Sequence, residues 1–212
     1  MIRAVVLWAL LAGAYAAAAA WGSAAAGWLI ALPALGLAGE CLLRGTGRGH
    51  VWAGGALLLS ALGDLMGGQH RFLPQILFFA MAHGAYIAAF VRSASRRPLW
   101  RLAAIPVVVV AAAAVGARVV GSVADPVERV AVTAYVVIIA AMAAAAGVRG
   151  GRAWALGMAG AALFMLSDSL IAWNRFICRL PHATLWIMSS YYAAQLLLTL
   201  PWLGPVRRGR AE

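Results

Sequence analysis

Lysine is absent from the sequence, cysteine occurs twice, and only six of the 212 residues carry carboxylate side chains. Each shortage excludes something. The two cysteines, Cys41 and Cys178, have no metal-ligand spacing. Charged residues make up 11% of the chain, against about a quarter in soluble domains. That leaves too little polar surface for a monomer in water. All 17 basic side chains are arginine, and they bring the formal net charge to +11. They form no stripe and no patch interleaved with aromatics, so a nucleic-acid partner is excluded. They punctuate apolar runs instead, as residues flanking a membrane do.

What remains is apolar: 65% of residues are hydrophobic and the mean hydropathy is +0.89. Crossing a bilayer takes about 20 mostly apolar residues. Such runs recur near 4–20, 22–43, 51–68, 72–92, 99–120, 127–148, 153–173 and 183–204. The expectation is an all-α polytopic transmembrane bundle of eight spans, forming a single domain over residues 1–212. The first span opens with Arg3 and reaches Ala14-Tyr15-Ala16, a pattern that resembles a signal peptide. It is expected to be retained.

Arginine placement orients the bundle. On the amino-terminal side fall Arg3, Arg44, Arg48, Arg92, Arg96, Arg97, Arg101, Arg149, Arg152, Arg207, Arg208 and Arg210. On the other side fall Arg71, Arg118, Arg129, Arg175 and Arg179. Positive charge stays in the cytoplasm, so both termini are expected there, with the protein in the cell (inner) membrane. Cys41 and Cys178 then lie at opposite faces and cannot bridge. An internal echo accompanies this pattern. Asp64 precedes Arg71-Phe72 by the same interval, D-x6-R-F, that separates Asp168 from Arg175-Phe176. Each copy is expected to begin near the outer end of one span and cross into the next, which suggests two parallel four-helix halves.

Of the six acids, Asp125 and Glu128 fall in a loop, Glu212 is the last residue, and Glu40 lies at a span end. Asp64 and Asp168 lie inside apolar helices. A charged side chain at a helix centre costs about 2.5–3.5 kcal/mol on insertion scales, so such residues face a protein interior and mark function. Neighbouring spans offer partners at helical spacing. Phe79, His83, Tyr86 and Phe90 form one stripe; Tyr192, Gln195 and Thr199 form another, with Tyr191 beside it. Gly157, Ala161 and Asp168 share a face, and Ser60 lies one turn below Asp64. Asn174 and Arg175 fall at the membrane edge.

Burial disfavours a carboxylate's charge and two close carboxyls titrate apart, so a buried pair can hold one proton and one charge near neutrality. That suits acid-catalysed hydrolysis through an oxocarbenium-like state. The chain has no G-x-S-x-G nucleophile motif. Only four histidines occur, three of them at span ends or in loops, so a zinc site would have to use His83 with Asp64 and Asp168. The competing readings are a lipid carrier or small transporter with carboxylate relays, and a hydrolase of other lysolipids using such a metal.

Two blocks carry a resemblance. One is GALLLSALGDLMGG followed by RFLPQILFFAMAHGAYIAAF, residues 55–68 and 71–90; the other is GAALFMLSDSLIAWNRF followed by LWIMSSYYAAQLL, residues 160–176 and 185–197. In these blocks the chain resembles the YhhN-like lysoplasmalogenase family of small multi-pass membrane proteins. The resemblance implies an eight-span hydrolase that cleaves the vinyl ether bond of lysoplasmalogens. A fatty aldehyde and glycerophosphoethanolamine or glycerophosphocholine would be released. Asp64, His83, Asp168, Asn174, Tyr191, Tyr192 and Gln195 fall on family motif positions, and Tyr86 follows the Ala-His of the first block. Asp64 and Asp168 are then the catalytic pair, expected in one shared pocket. His83, Tyr86, Asn174, Tyr191, Tyr192 and Gln195 would position substrate or water, and Arg175 would hold phosphate. The implied partners are a lysophospholipid and the bilayer, and no metal or organic cofactor is required. The chain departs from the family pattern at Leu32-Pro33, where Lys-Pro is usual, and at Gln75, where glycine is usual. Nothing in the sequence sets an oligomeric state.

Overall fold

The computed structural model describes residues 1–94, 102–149 and 153–203. Their fold is all-helical: α1 (Ile2–Ala20), α2 (Ala26–Leu29), α3 (Leu32–Arg44), α4 (His50–Gly68), α5 (Phe72–Arg92), α6 (Ala104–Val120), α7 (Pro126–Val148), α8 (Trp154–Phe176) and α9 (Ala183–Thr199), followed by a 3-10 turn at Leu200–Trp202. Six segments among the described residues are long and apolar enough to cross a membrane: α1, Ala26–Arg44, α4, α5, α7 and α8. α6 and α9 have 17 residues each, about 25 Å of helix. The outward faces carry Leu10, Leu77, Val107, Val110 and Val137, all strongly exposed. Such an apolar surface needs lipid around it. The protein is a multi-pass helical membrane protein.

The second apolar run is interrupted at Ile30–Ala31, between α2 and α3. Pro33 has no N–H to donate back along the helix. The Tyr192 hydroxyl donates to the neighbouring Ile30 carbonyl at 2.9 Å, tying α9 to the break. α7 starts at a built cap. The Asp125 side chain accepts from the Glu128 N–H at 2.8 Å, and Pro126 occupies the first turn. Residue 99, where the fifth run was expected to begin, and residue 204, where the eighth was expected to end, lie outside the described residues.

Interhelix contacts sort the ends into two faces. On the amino-terminal side Arg3 and Arg44 both pair with Glu40, at 3.2 and 3.6 Å. There Ala94 bridges Arg149, and Thr46 N–H donates to the Trp202 carbonyl at 2.9 Å. The Arg149 guanidinium packs 4.1 Å over the Trp202 ring. On the opposite side Arg175 pairs with Glu128 at 2.7 Å and stacks 4.1 Å over Phe72. For Arg3, Arg44, Arg149 and Arg175 the sorting agrees with the faces read from arginine placement; Arg96, Arg97, Arg101, Arg152, Arg207, Arg208 and Arg210 lie outside the described residues. Cys41 is buried and Cys178 exposed, and both are free thiols.

The D-x6-R-F echo does not occupy equivalent places. α4 ends at Gly68, so Arg71-Phe72 lies beyond a turn and opens α5, whereas α8 runs on through Arg175 and Phe176. The second copy therefore never crosses into the next span. The turn after α4 places His70 in the left-handed region at φ 60°, a conformation histidine tolerates better than bulkier residues. No such residue interrupts α8. The two motifs still converge, with the Phe72 and Phe176 rings edge-on at 5.5 Å.

Candidate active site

Two hydrogen-bonded clusters fill the polar interior. In the first, Tyr86 of α5 donates to Gln195 Oε1 at 2.6 Å and Gln195 Nε2 donates to the Tyr191 hydroxyl at 2.9 Å. Tyr191 in turn donates to Asp64 Oδ2 at 2.8 Å. All four side chains are buried, and Asp64 is only 4% exposed. A buried polar group is stable only when satisfied, and this chain satisfies residues from α4, α5 and α9 in one run.

The second cluster joins α5, α7 and α8. Tyr135 donates to Asp168 Oδ2 at 2.7 Å and meets His83 Nε2 at 2.8 Å, while His83 Nε2 lies 3.6 Å from the same carboxylate oxygen. With the Tyr135 proton committed to Asp168, its oxygen accepts from a protonated Nε2. His83 Nδ1 is then left as a buried atom without a partner. Asp168 Oδ1 has no hydrogen-bond partner among the described residues.

Between the clusters stands a wall of rings. Phe79 and Phe164 meet at 6.0 Å, each packs edge-on against Tyr191 at 5.8 and 5.4 Å, and Phe164 lies 4.7 Å from the His83 ring. Gly63 makes room for this wall, because a Cβ there would come within 2.9 Å of the Phe79 ring.

Asp168 lines a groove bounded by α5, α6, α7 and α8, with a cavity volume of about 80 Å³ and one side open at the surface. Its walls are apolar (Ile76, Val119, Val132, Val136, Ile139 and Met165 among them) except at Asp168, Tyr135, Ser169 and Gln75. Phe72 and Phe176 line the end away from the amino-terminal side. Along α8 the lining runs from Met165 to Phe176, about 16 Å at the helical rise.

Asp64 is not among the lining residues. The shared pocket expected for the two aspartates is therefore not formed: the ring wall occupies the space between them. The other expected positions separate as follows. Tyr86, Tyr191 and Gln195 join Asp64, and His83 joins Asp168. Tyr192 supports the helix break, and its ring packs edge-on against Tyr15 at 5.7 Å. Asn174 accepts from the Leu180 N–H at 2.8 Å and holds the loop after α8. Arg175 stands at the cavity's outer end. Tyr135 is the candidate that sequence reasoning missed; its signal was a phenol hydroxyl in a mostly apolar run. Of the two departures from the family pattern, Gln75 is among the cavity's lining residues with its amide packed against Gly67, and Leu32 lies in the first turn of α3 outside the cavity. No group of three or more His, Cys, Asp or Glu side chains suited to a metal exists among the described residues.

Fold and site together define a polytopic helical membrane protein with a carboxyl group lining an apolar cavity. The chain belongs to the YhhN family, which it matches over residues 1–202. It is 38% identical to a human protein named lysoplasmalogenase TMEM86B over 172 residues, 80% of this chain and 71% of that one. Identity to the Sus scrofa protein of the same name is 38% over 148 residues, 69% and 61% of the two chains. A Bos taurus protein named lysoplasmalogenase TMEM86A is 34% identical over 158 residues, 68% and 62% of the two chains. No solved structure matches the chain.

Proposed function

We propose that this protein is a lysoplasmalogenase, a hydrolase that cleaves the vinyl ether bond of lysoplasmalogens into a fatty aldehyde and a glycerophospho-alcohol. The observation that carries the reading is a carboxyl group, Asp168, with one oxygen held by Tyr135 and the other free, facing an apolar cavity with Arg175 at its outer end. The relatives' names support the same reaction.

A vinyl ether hydrolyses by protonation. Asp168 transfers its proton from Oδ1 to the β-carbon, the double-bond electrons form the new C–H bond, and an oxocarbenium ion develops at the carbon bearing oxygen. The carboxylate left behind steadies that cation and takes a proton from the attacking water. The resulting hemiacetal collapses when Asp168 protonates the glyceryl oxygen as it leaves; the hemiacetal hydroxyl then gives up its proton, which restores the acid. The products are aldehyde and alcohol, with one water consumed. Tyr135 and His83 fix the orientation of Asp168. Asp64 acts from behind the ring wall through the hydrogen-bonded run with Tyr191, Gln195 and Tyr86, which holds the Tyr191 ring against Phe79 and Phe164. The apolar walls take the alkenyl chain, and Arg175 takes phosphate at the rim. Tyr192 and Asn174 hold the scaffold in register.

The test is aldehyde release by purified protein from a lysoplasmalogen and from its saturated alkyl ether analogue. Aldehyde is expected only from the vinyl ether. Bound lipid with no aldehyde from either would replace this reading with that of a lipid carrier.

We further propose eight crossings of the cell membrane with both termini in the cytoplasm, from the arginine bias and the sorting of helix ends. A phosphatase reporter fused at the carboxyl terminus should be inactive, and periplasmic activity there would invert the assignment.

A further inference from the structure

Glu128, expected in a loop, is instead a first-turn residue of α7, with its N–H held by the Asp125 cap and its side chain, 21% exposed, paired to Arg175. Glu128 precedes Tyr135 by seven residues on α7, and Arg175 follows Asp168 by seven on α8. Seven residues are close to two full turns, so each helix presents both of its residues on one face, about 10 Å apart along the axis. The helices thus face each other through two rungs, Glu128–Arg175 at the rim and Tyr135–Asp168 beneath it. The cavity residues Val132 and Ala172 lie between the rungs.

In an alkenyl lysophospholipid, seven bonds separate phosphorus from the β-carbon of the vinyl ether. An extended chain advances about 1.2 Å per bond, as three backbone bonds do per residue, so that path spans about 8 Å. A phosphate on Arg175 therefore brings the β-carbon to the depth of Asp168. Arg175 is suited to phosphate by its planar fork, and its seat over Phe72 and Phe176 keeps it beside the lining. Glu128 is badly placed for a bare phosphate, which it would repel. It is well placed for a headgroup that brings its own cation four bonds from phosphorus. Arg129, the neighbouring base, is tied to the Val123 carbonyl through Nε and Nη2 at 2.9 and 2.7 Å, so it is not aimed at such a cation.

Resting on the lysoplasmalogenase reading, we propose that Glu128 and Arg175 form a headgroup site for a phosphoammonium zwitterion. The substrate opens their ion pair, Arg175 taking the phosphate and Glu128 the ammonium. Glu128 thereby sets a preference for ethanolamine- or choline-bearing lipids over the same lipid ending in phosphate alone.

The experiment compares wild type, Glu128→Gln and Glu128→Asp on 1-alkenyl-glycerophosphoethanolamine and 1-alkenyl-glycerophosphate, reading aldehyde. Calorimetry with the saturated ether analogue of the ethanolamine lipid runs beside it. Wild type should favour the ethanolamine lipid about tenfold in kcat/KM. Glu128→Gln should bring the ratio within about twofold, chiefly through KM, and should weaken binding of the saturated analogue about fivefold; Glu128→Asp should keep most of the preference. An unchanged ratio and unchanged analogue affinity in Glu128→Gln would overturn the headgroup site. Aldehyde from neither lipid with wild type would sink the hydrolase reading alone, and the calorimetric comparison would still decide the role of Glu128.

Discussion

Replacing Asp168 with asparagine is expected to cut aldehyde release by about 1,000-fold, within the 100- to 10,000-fold range of a positioned proton donor. The amide keeps the size of the carboxyl group and an oxygen for the Tyr135 hydroxyl. What it lacks is a proton to give to carbon. Thermal unfolding should therefore stay close to wild type while kcat collapses and KM changes little. Tyr135→Phe provides the graded companion. It removes the hydroxyl that touches both Asp168 Oδ2 and His83 Nε2 and leaves the ring that lines the cavity. Loss of orientation without loss of the acid should lower kcat about tenfold. An Asp168→Asn protein that is fully active, or a Tyr135→Phe protein more damaged than Asp168→Asn, would show that the proton comes from elsewhere.

The transmembrane character was legible because it rests on composition. Apolar runs of sufficient length can be counted in one dimension, and six of the eight correspond to segments long and apolar enough to cross a membrane among the described residues. Individual candidate residues were legible for the same reason: a carboxylate, an imidazole or an amide inside such a run stands out, as Asp64, His83, Asp168 and Gln195 do. Their grouping was not legible. Tyr135 reaches His83 across 52 residues of sequence and Asp168 across 33, and no local pattern says which helices will be neighbours. A lone tyrosine in an apolar helix also reads as an ordinary interhelical bond. The shared pocket failed for a related reason. Phe79 was recognised as part of a polar stripe, but its closeness to α4 depends on Gly63, and its partner Phe164 lies on a different helix. The repeat failed at helix ends, where the pattern D-x6-R-F does not reveal whether the chain turns before the arginine or continues as helix.

Asp64→Asn tests whether the second aspartate acts through its charge or through Tyr191. Its carboxylate is walled off from the cavity, so it has no route to the substrate's carbon. It acts through the Tyr191 hydroxyl, whose hydrogen bond it accepts and which holds the Tyr191 ring against Phe79 and Phe164. Asparagine preserves an oxygen acceptor for the Tyr191 hydroxyl and removes the charge. Tyr191→Phe does the reverse: it preserves the charge and the ring contacts with Phe79 and Phe164 but deletes the hydrogen bond. Kinetic assays should therefore give kcat and KM within a few-fold of wild type for Asp64→Asn, and about a tenfold fall in kcat for Tyr191→Phe. If the order is reversed, with Asp64→Asn the more damaging, Asp64 acts through its charge. If Asp64→Asn raises KM and spares kcat, its role lies in shaping the site that receives the lipid, and Asp168 works without electrostatic help from across the rings.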